Sequence, residues 1–115
     1  MSKLLYALAQ AIYDKKGTNI VAIDVRGVSS ITDYLLIADG NTERHVNALS
    51  KVVVDVLHVH NEEPLHVEGR PSCSWMVVDA GEILVHIFTP DLRQKYSLEK
   101  LWHEGKIVEL ELNVE

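Results

Sequence analysis

The chain has 115 residues, 47% of them hydrophobic, and sets 11 Lys and Arg against 17 Asp and Glu for a net charge of −6. That is enough for one domain with a buried core, and the acidic balance disfavours a protein that grips a phosphate backbone, which needs a clustered basic face. A basic protein partner suits it better; no apolar run reaches the ~18 residues of a membrane span, and the lone Cys73 excludes an internal disulfide or a cysteine-pair zinc site, as in a reducing cytoplasm.

Residues 2–15 predict an amphipathic helix, with Leu4, Leu5, Leu8, Ala11 and Ile12 at helical spacing and Lys15-Lys16-Gly17 as a cationic last turn and stop. The β-branched run Ile20–Val25 reads as a strand, interrupted by Gly27-Val28-Ser29-Ser30. Tyr34–Ala38 is a second strand, almost wholly apolar, as in the interior of a sheet. Asp39-Gly40-Asn41-Thr42 ends it and offers caps. A long helix follows from about Thr42 to His60, its apolar side formed by Val46, Leu49, Val53, Val56 and Leu57, and Glu62-Glu63-Pro64 stops it. Leu65–Glu68 is a short third strand, and Gly69-Arg70-Pro71-Ser72 a loop.

Trp75–Asp79 and Leu84–Phe88 are matched strands joined by Ala80-Gly81-Glu82-Ile83. Glycine at the first position of a two-residue turn suits type II′, which sets Trp75 opposite Phe88, Val77 opposite His86 and Asp79 opposite Leu84. Side chains alternate along a strand, so Met76, Val78, Val85 and Ile87 form one aliphatic face. Trp75, Asp79, His86 and Phe88 share the other. Aromatics mixed with polar tips suit a partner-binding surface, or else a second core layer under the C-terminal segment. Pro90 ends the last strand, and Asp91–Tyr96 and Ser97–Trp102 read as short helical turns. From Val108 the tail alternates strictly, as an extra edge strand or a frayed end would. The expected fold is α+β: a mixed five-stranded sheet with helices mainly on one face, in the order α-β-β-α-β-β-β-α.

Little in the chain predicts catalysis. The six histidines, at 45, 58, 60, 66, 86 and 103, show no His-x-x-x-His pair, so no metal site is expected. Cys73 lies in a predicted loop with no helix N-terminus to activate it. A nucleotidyltransferase would need two carboxylates one residue apart on a strand to hold its metal. Asp24 is followed by Val25-Arg26, and Asp33 by Tyr34-Leu35, so that pair is missing.

Five segments, in order, resemble the ribosomal silencing factors, or Iojap family, over roughly residues 4–102: Ile31-Thr32-Asp33-Tyr34-Leu35-Leu36-Ile37-Ala38-Asp39-Gly40-Asn41-Thr42; Val67-Glu68-Gly69; Trp75-Met76-Val77-Val78-Asp79 with Gly81; Val85-His86-Ile87-Phe88-x-Pro90; and Tyr96-Ser97-Leu98-Glu99-Lys100-Leu101-Trp102. The resemblance implies a nucleotidyltransferase-like fold without catalytic residues or cofactor. It also implies binding to protein fourteen of the large ribosomal subunit, where the factor blocks joining of the small subunit and lowers translation when nutrients are short. A role in large-subunit assembly through the same face is the alternative, and homodimers occur among the members. On this reading residues 1–102 are the silencing-factor domain and 103–115 a C-terminal tail. Partner binding falls to Trp75, Val77, Asp79, His86, Phe88, Tyr96 and Leu98. Two positions depart from the family pattern: Asp39, where a small or hydroxyl residue is usual, and the loop Arg70-Pro71-Ser72-Cys73-Ser74, which lacks the usual acidic or glycine-rich stretch.

Overall fold

A computed structural model describes residues 3–28, 30, 32–69, 74–96, 106–108, 110 and 112. Helix α1 spans Lys3–Asp14, and Leu5, Leu8, Ala9 and Ile12 form its buried stripe, the spacing of one helical face. Its end is a Schellman turn: the Gly17 amide donates to the Ile12 carbonyl (2.8 Å) and the Lys16 amide to Tyr13 (3.0 Å). The left-handed residue of that turn is Lys16 (φ 71°). Gly17 is required for a different reason, since a Cβ there would collide with Ile12.

Strand β1 (Thr18–Asp24) starts two residues earlier than its β-branched run suggests, because a bulge at left-handed Asn19 (φ 50°) bridges it to α1. Strand β2 (Tyr34–Asp39) is buried at every position. Helix α2 (Glu43–Val59) is capped by Thr42, whose hydroxyl accepts from the His45 amide, and it ends on left-handed Asn61 (φ 59°) rather than at Pro64. The His45 ring ties the two helices together. Its Nδ1 accepts from the Asn41 amide (2.9 Å), so Nε2 carries the proton and donates to the Lys15 carbonyl (2.8 Å).

Strands β3 (His66–Glu68), β4 (Trp75–Asp79) and β5 (Ile83–Phe88), helix α3 (Pro90–Tyr96) and β6 (Lys106–Val108) complete the order. Pro90 opens α3, where its missing amide costs nothing. The helical turns expected over 97–102 lie outside the described residues.

The sheet therefore has six strands, not five, arranged β3-β4-β5-β2-β1-β6. The sixth lies at the start of the alternating tail and shares only Val108 with it: Lys106, Ile107 and Val108 pair with Asp24, Ile23 and Ala22. Alternation alone could not separate a paired edge from a frayed end, because pairing depends on a partner more than 80 residues upstream. All neighbours are antiparallel except β2 and β5. The hairpin register is the expected one, Trp75 on Phe88, Val77 on His86 and Asp79 on Leu84, with Gly81 at φ 87°.

Helices α1 and α2 cover one face of the sheet, packing on Ala22, Leu36, Ala38, Met76, Val78, Val85, Ile87 and Val108. On the other face Ile23, Val25, Leu35, Ile37 and Phe88 form a second, smaller cluster, flanked by Val21, Trp75, Leu84 and Leu92. Coverage of both faces explains why β2 reads as an unbroken apolar run. Among the described residues no helix is long and apolar enough to cross a membrane.

Candidate partner-binding face

The second face of the sheet carries the aromatic group. Trp75 stacks on Phe88 with ring centroids 5.2 Å apart and 28° between planes, and His86 lies parallel to Phe88 at 5.9 Å, within the range of favourable aromatic pairs. Strand alternation places His86 and Phe88 on the same side of β5, and the register brings Trp75 of β4 alongside. The indole Nε1–H of Trp75 donates to Nδ1 of His86 (3.2 Å). That bond requires a neutral imidazole with its proton on Nε2. Burial favours the same state, pushing the His86 pKa down to about 4.

These residues play different parts. Phe88 is fully buried (0% exposed) and His86 nearly so (9%). Trp75, Val77 and Asp79 of β4 are half-buried, so β4 offers the accessible row. Phe88 and His86 act from beneath, as packing and as the hydrogen-bond partner of the indole. The Asp79 carboxylate also accepts from the Gly81 amide (2.9 Å) and so braces the hairpin turn. Tyr96 closes α3, but its side chain lies outside the described residues, as does the whole of Leu98.

Two groups at this end of the sheet were not singled out for binding. Leu92 of α3 packs on the second cluster. Arg93, next to it, places Nη1 at 2.9 Å from Oδ1 of Asp39. The only sequence signal for that pair was an acid closing an otherwise apolar strand.

Three of the other described histidines are engaged locally, and His60 serves α2 through its backbone amide at the C-cap. His58 meets Glu63 at 3.2 Å and His66 meets Glu68 at 2.8 Å, both on the surface, while His45 joins the helices as above. The Asp24 carboxylate is held on both oxygens by the Arg26 guanidinium (2.7–3.2 Å), which keeps it below the usual carboxylate range.

Comparison with known proteins shows the family. The family described as ribosomal silencing factor during starvation matches residues 1–115. A ribosomal silencing factor of Halalkalibacterium halodurans is 38% identical over 109 residues, covering 95% of this chain and 93% of that protein. A mouse protein named for mitochondrial assembly of the ribosomal large subunit is 30% identical over 98 residues, 83% of this chain and 43% of that longer protein. A crystal structure of a Chromobacterium violaceum protein superposes with a TM-score of 0.85 at 29% identity, covering 98% of this chain and 95% of the other. The chain belongs to the ribosomal silencing factor family.

Proposed function

We propose that this protein docks on the large ribosomal subunit through the second face of its sheet, with Trp75 as anchor and ribosomal protein fourteen as partner. Bound there, it covers the surface that receives the small subunit, blocks joining and represses translation when nutrients are short. It works in the cytoplasm, as a monomer or homodimer, with no cofactor and no catalytic step. A nucleotidyltransferase-like scaffold serves as a docking platform, and the engagement of Asp24 by Arg26 supports its use without metal chemistry.

The observation that carries this reading is the half-buried Trp75, held by stacking and a hydrogen bond on a face that the two long helices leave uncovered. A rigid, partly exposed tryptophan beside polar groups has the make-up of an interface hot spot. The net charge of −6 suits a basic ribosomal protein. An assembly role through the same face is the second reading, favoured by the name of the mouse relative.

Sedimentation of tagged protein with cell extract tests both. The protein should travel with free large subunits and not with joined ribosomes. Trp75→Ala should weaken large-subunit binding at least roughly thirtyfold, the equivalent of about 2 kcal/mol, with a modest change in melting temperature. Met76→Ala, buried on the helix-covered face, should destabilise the fold by about 2–5 kcal/mol and spare the affinity of folded molecules. The opposite pattern would invert the assignment of the two faces. Accumulation of incomplete large subunits on depletion, with joining unaffected, would favour the assembly role.

A further inference from the structure

Asp39 closes β2, a strand with no other polar residue beyond the Tyr34 hydroxyl. Its side chain is only 3% exposed, and both carboxylate oxygens are occupied. Oδ1 accepts from Arg93 Nη1 at 2.9 Å, and Oδ2 accepts from Asn19 Nδ2 at 2.8 Å. Arg93 Nη1 also donates to the Asn19 backbone carbonyl. The left-handed conformation of Asn19, at the β1 bulge, accompanies this arrangement of its amide and carbonyl. Three separate elements, β1, β2 and α3, thus meet at one nearly dry ion pair.

A buried ion pair of this kind is weak evidence for net stability, because desolvation offsets most of the attraction. Its value lies in geometry: an unpaired buried charge is costly, so the elements that carry the partners stay in register. Helix α3 needs such a constraint. It has seven residues, too few to be helical on its own. Leu92 holds its apolar side on the second cluster, which Trp75 also flanks. Arg93 holds its polar side.

We propose that Asp39, Asn19 and Arg93 form a latch that positions α3 against the end of the sheet, as the second wall of the docking face beside Trp75. None of the three needs to touch the partner; they are positioning residues. The proposal rests on the docking reading above, and it gives a physical meaning to the acid at position 39, where a small or hydroxyl residue could not pair with Arg93.

The test combines hydrogen exchange and large-subunit binding on the full-length protein. Asp39→Asn removes the charge and keeps the shape. It should speed amide exchange across α3 by about tenfold or more while α2 keeps its wild-type protection, and weaken large-subunit binding by about tenfold. The double variant Asp39→Asn/Arg93→Gln leaves no unpaired buried charge, so it reports the same two quantities if the single variant does not fold. Arg93→Lys should bind within about threefold of wild type, because one cationic nitrogen can make both contacts that Nη1 makes, whereas Arg93→Gln should not. Unchanged α3 exchange in Asp39→Asn and in the double variant overturns the latch. A loosened α3 with wild-type binding overturns its role in docking. Wild-type protein that fails to sediment with large subunits overturns the functional reading instead, while exchange still decides the latch.

Discussion

His86 shows how much one buried side chain can set. Its ring is nearly dry, it stacks on Phe88, and it accepts the indole hydrogen of Trp75. A protonated ring could not accept that bond. Burial lowers its pKa from 6.5 to about 4, so the folded state binds this proton less readily than the unfolded state does. The sign follows: above about pH 6.5 the titration of His86 leaves stability unchanged, and between about pH 6.5 and 4 the unfolded chain takes up the proton first. Stability should fall there by about 1.4 kcal/mol per pH unit and level off below about pH 4. In urea titrations at about pH 7 and pH 5, His86→Gln should lose about 2 kcal/mol less than wild type over that interval. Equal losses in the two proteins would mean that the ring is not buried neutral. The same variant should change the surroundings of the Trp75 indole, whose N–H loses its imidazole acceptor, so the tryptophan emission should shift.

The β6 strand carries the clearest prediction at the scale of elements. Val108 is buried in the main cluster, Leu110 and Leu112 pack against it, and β6 pairs with β1 through three residues. Deleting residues 106–115 should therefore cost at least about 2 kcal/mol, the burial of one to two aliphatic side chains, and lower the melting temperature by several degrees. The proposed docking face includes β4 and β5, which the strand order separates from this edge by β2 and β1. The truncated protein, while folded, should keep wild-type affinity for the large subunit. Loss of binding in a folded truncation would bring the C-terminal residues into the site. The two helix ends show a related lesson. Lys16 and Asn61 take the left-handed position at the ends of α1 and α2, whereas the nearest glycine and proline, Gly17 and Pro64, suggested the stops. Asparagine tolerates that conformation, and the lysine is held in it by the close approach of Gly17 to Ile12.

At the scale of the whole molecule, charge governs encounter more than affinity. A protein of net charge −6 approaching a basic ribosomal protein gains in association rate. Raising salt from about 0.05 to 0.5 M should slow association by roughly tenfold or more and leave the dissociation rate nearly unchanged, since the proposed anchor is an aromatic group. Stopped-flow mixing with isolated large-subunit protein would measure it. An association rate indifferent to salt would show that the acidic balance serves solubility alone.

Periodicity and turn chemistry are local, and they sufficed for the hairpin: its register, its turn at Gly81 and the split between Met76/Val78/Val85/Ile87 and Trp75/His86/Phe88 all follow from residues 75–88 by themselves. The family was legible for a similar reason, since its motifs are short and their order is written along the chain. Tertiary structure decided what depends on distant partners. Phe88 is sealed and Trp75 half-open because the second cluster draws on β1, β2 and α3 as well as the hairpin. The start of the tail became part of a sixth strand because β1 offers it an edge. Asp39 acquired its meaning only through Arg93, 54 residues away. Alternation along a strand says which side chains share a face, but whether that face is covered depends on the rest of the chain folding over it.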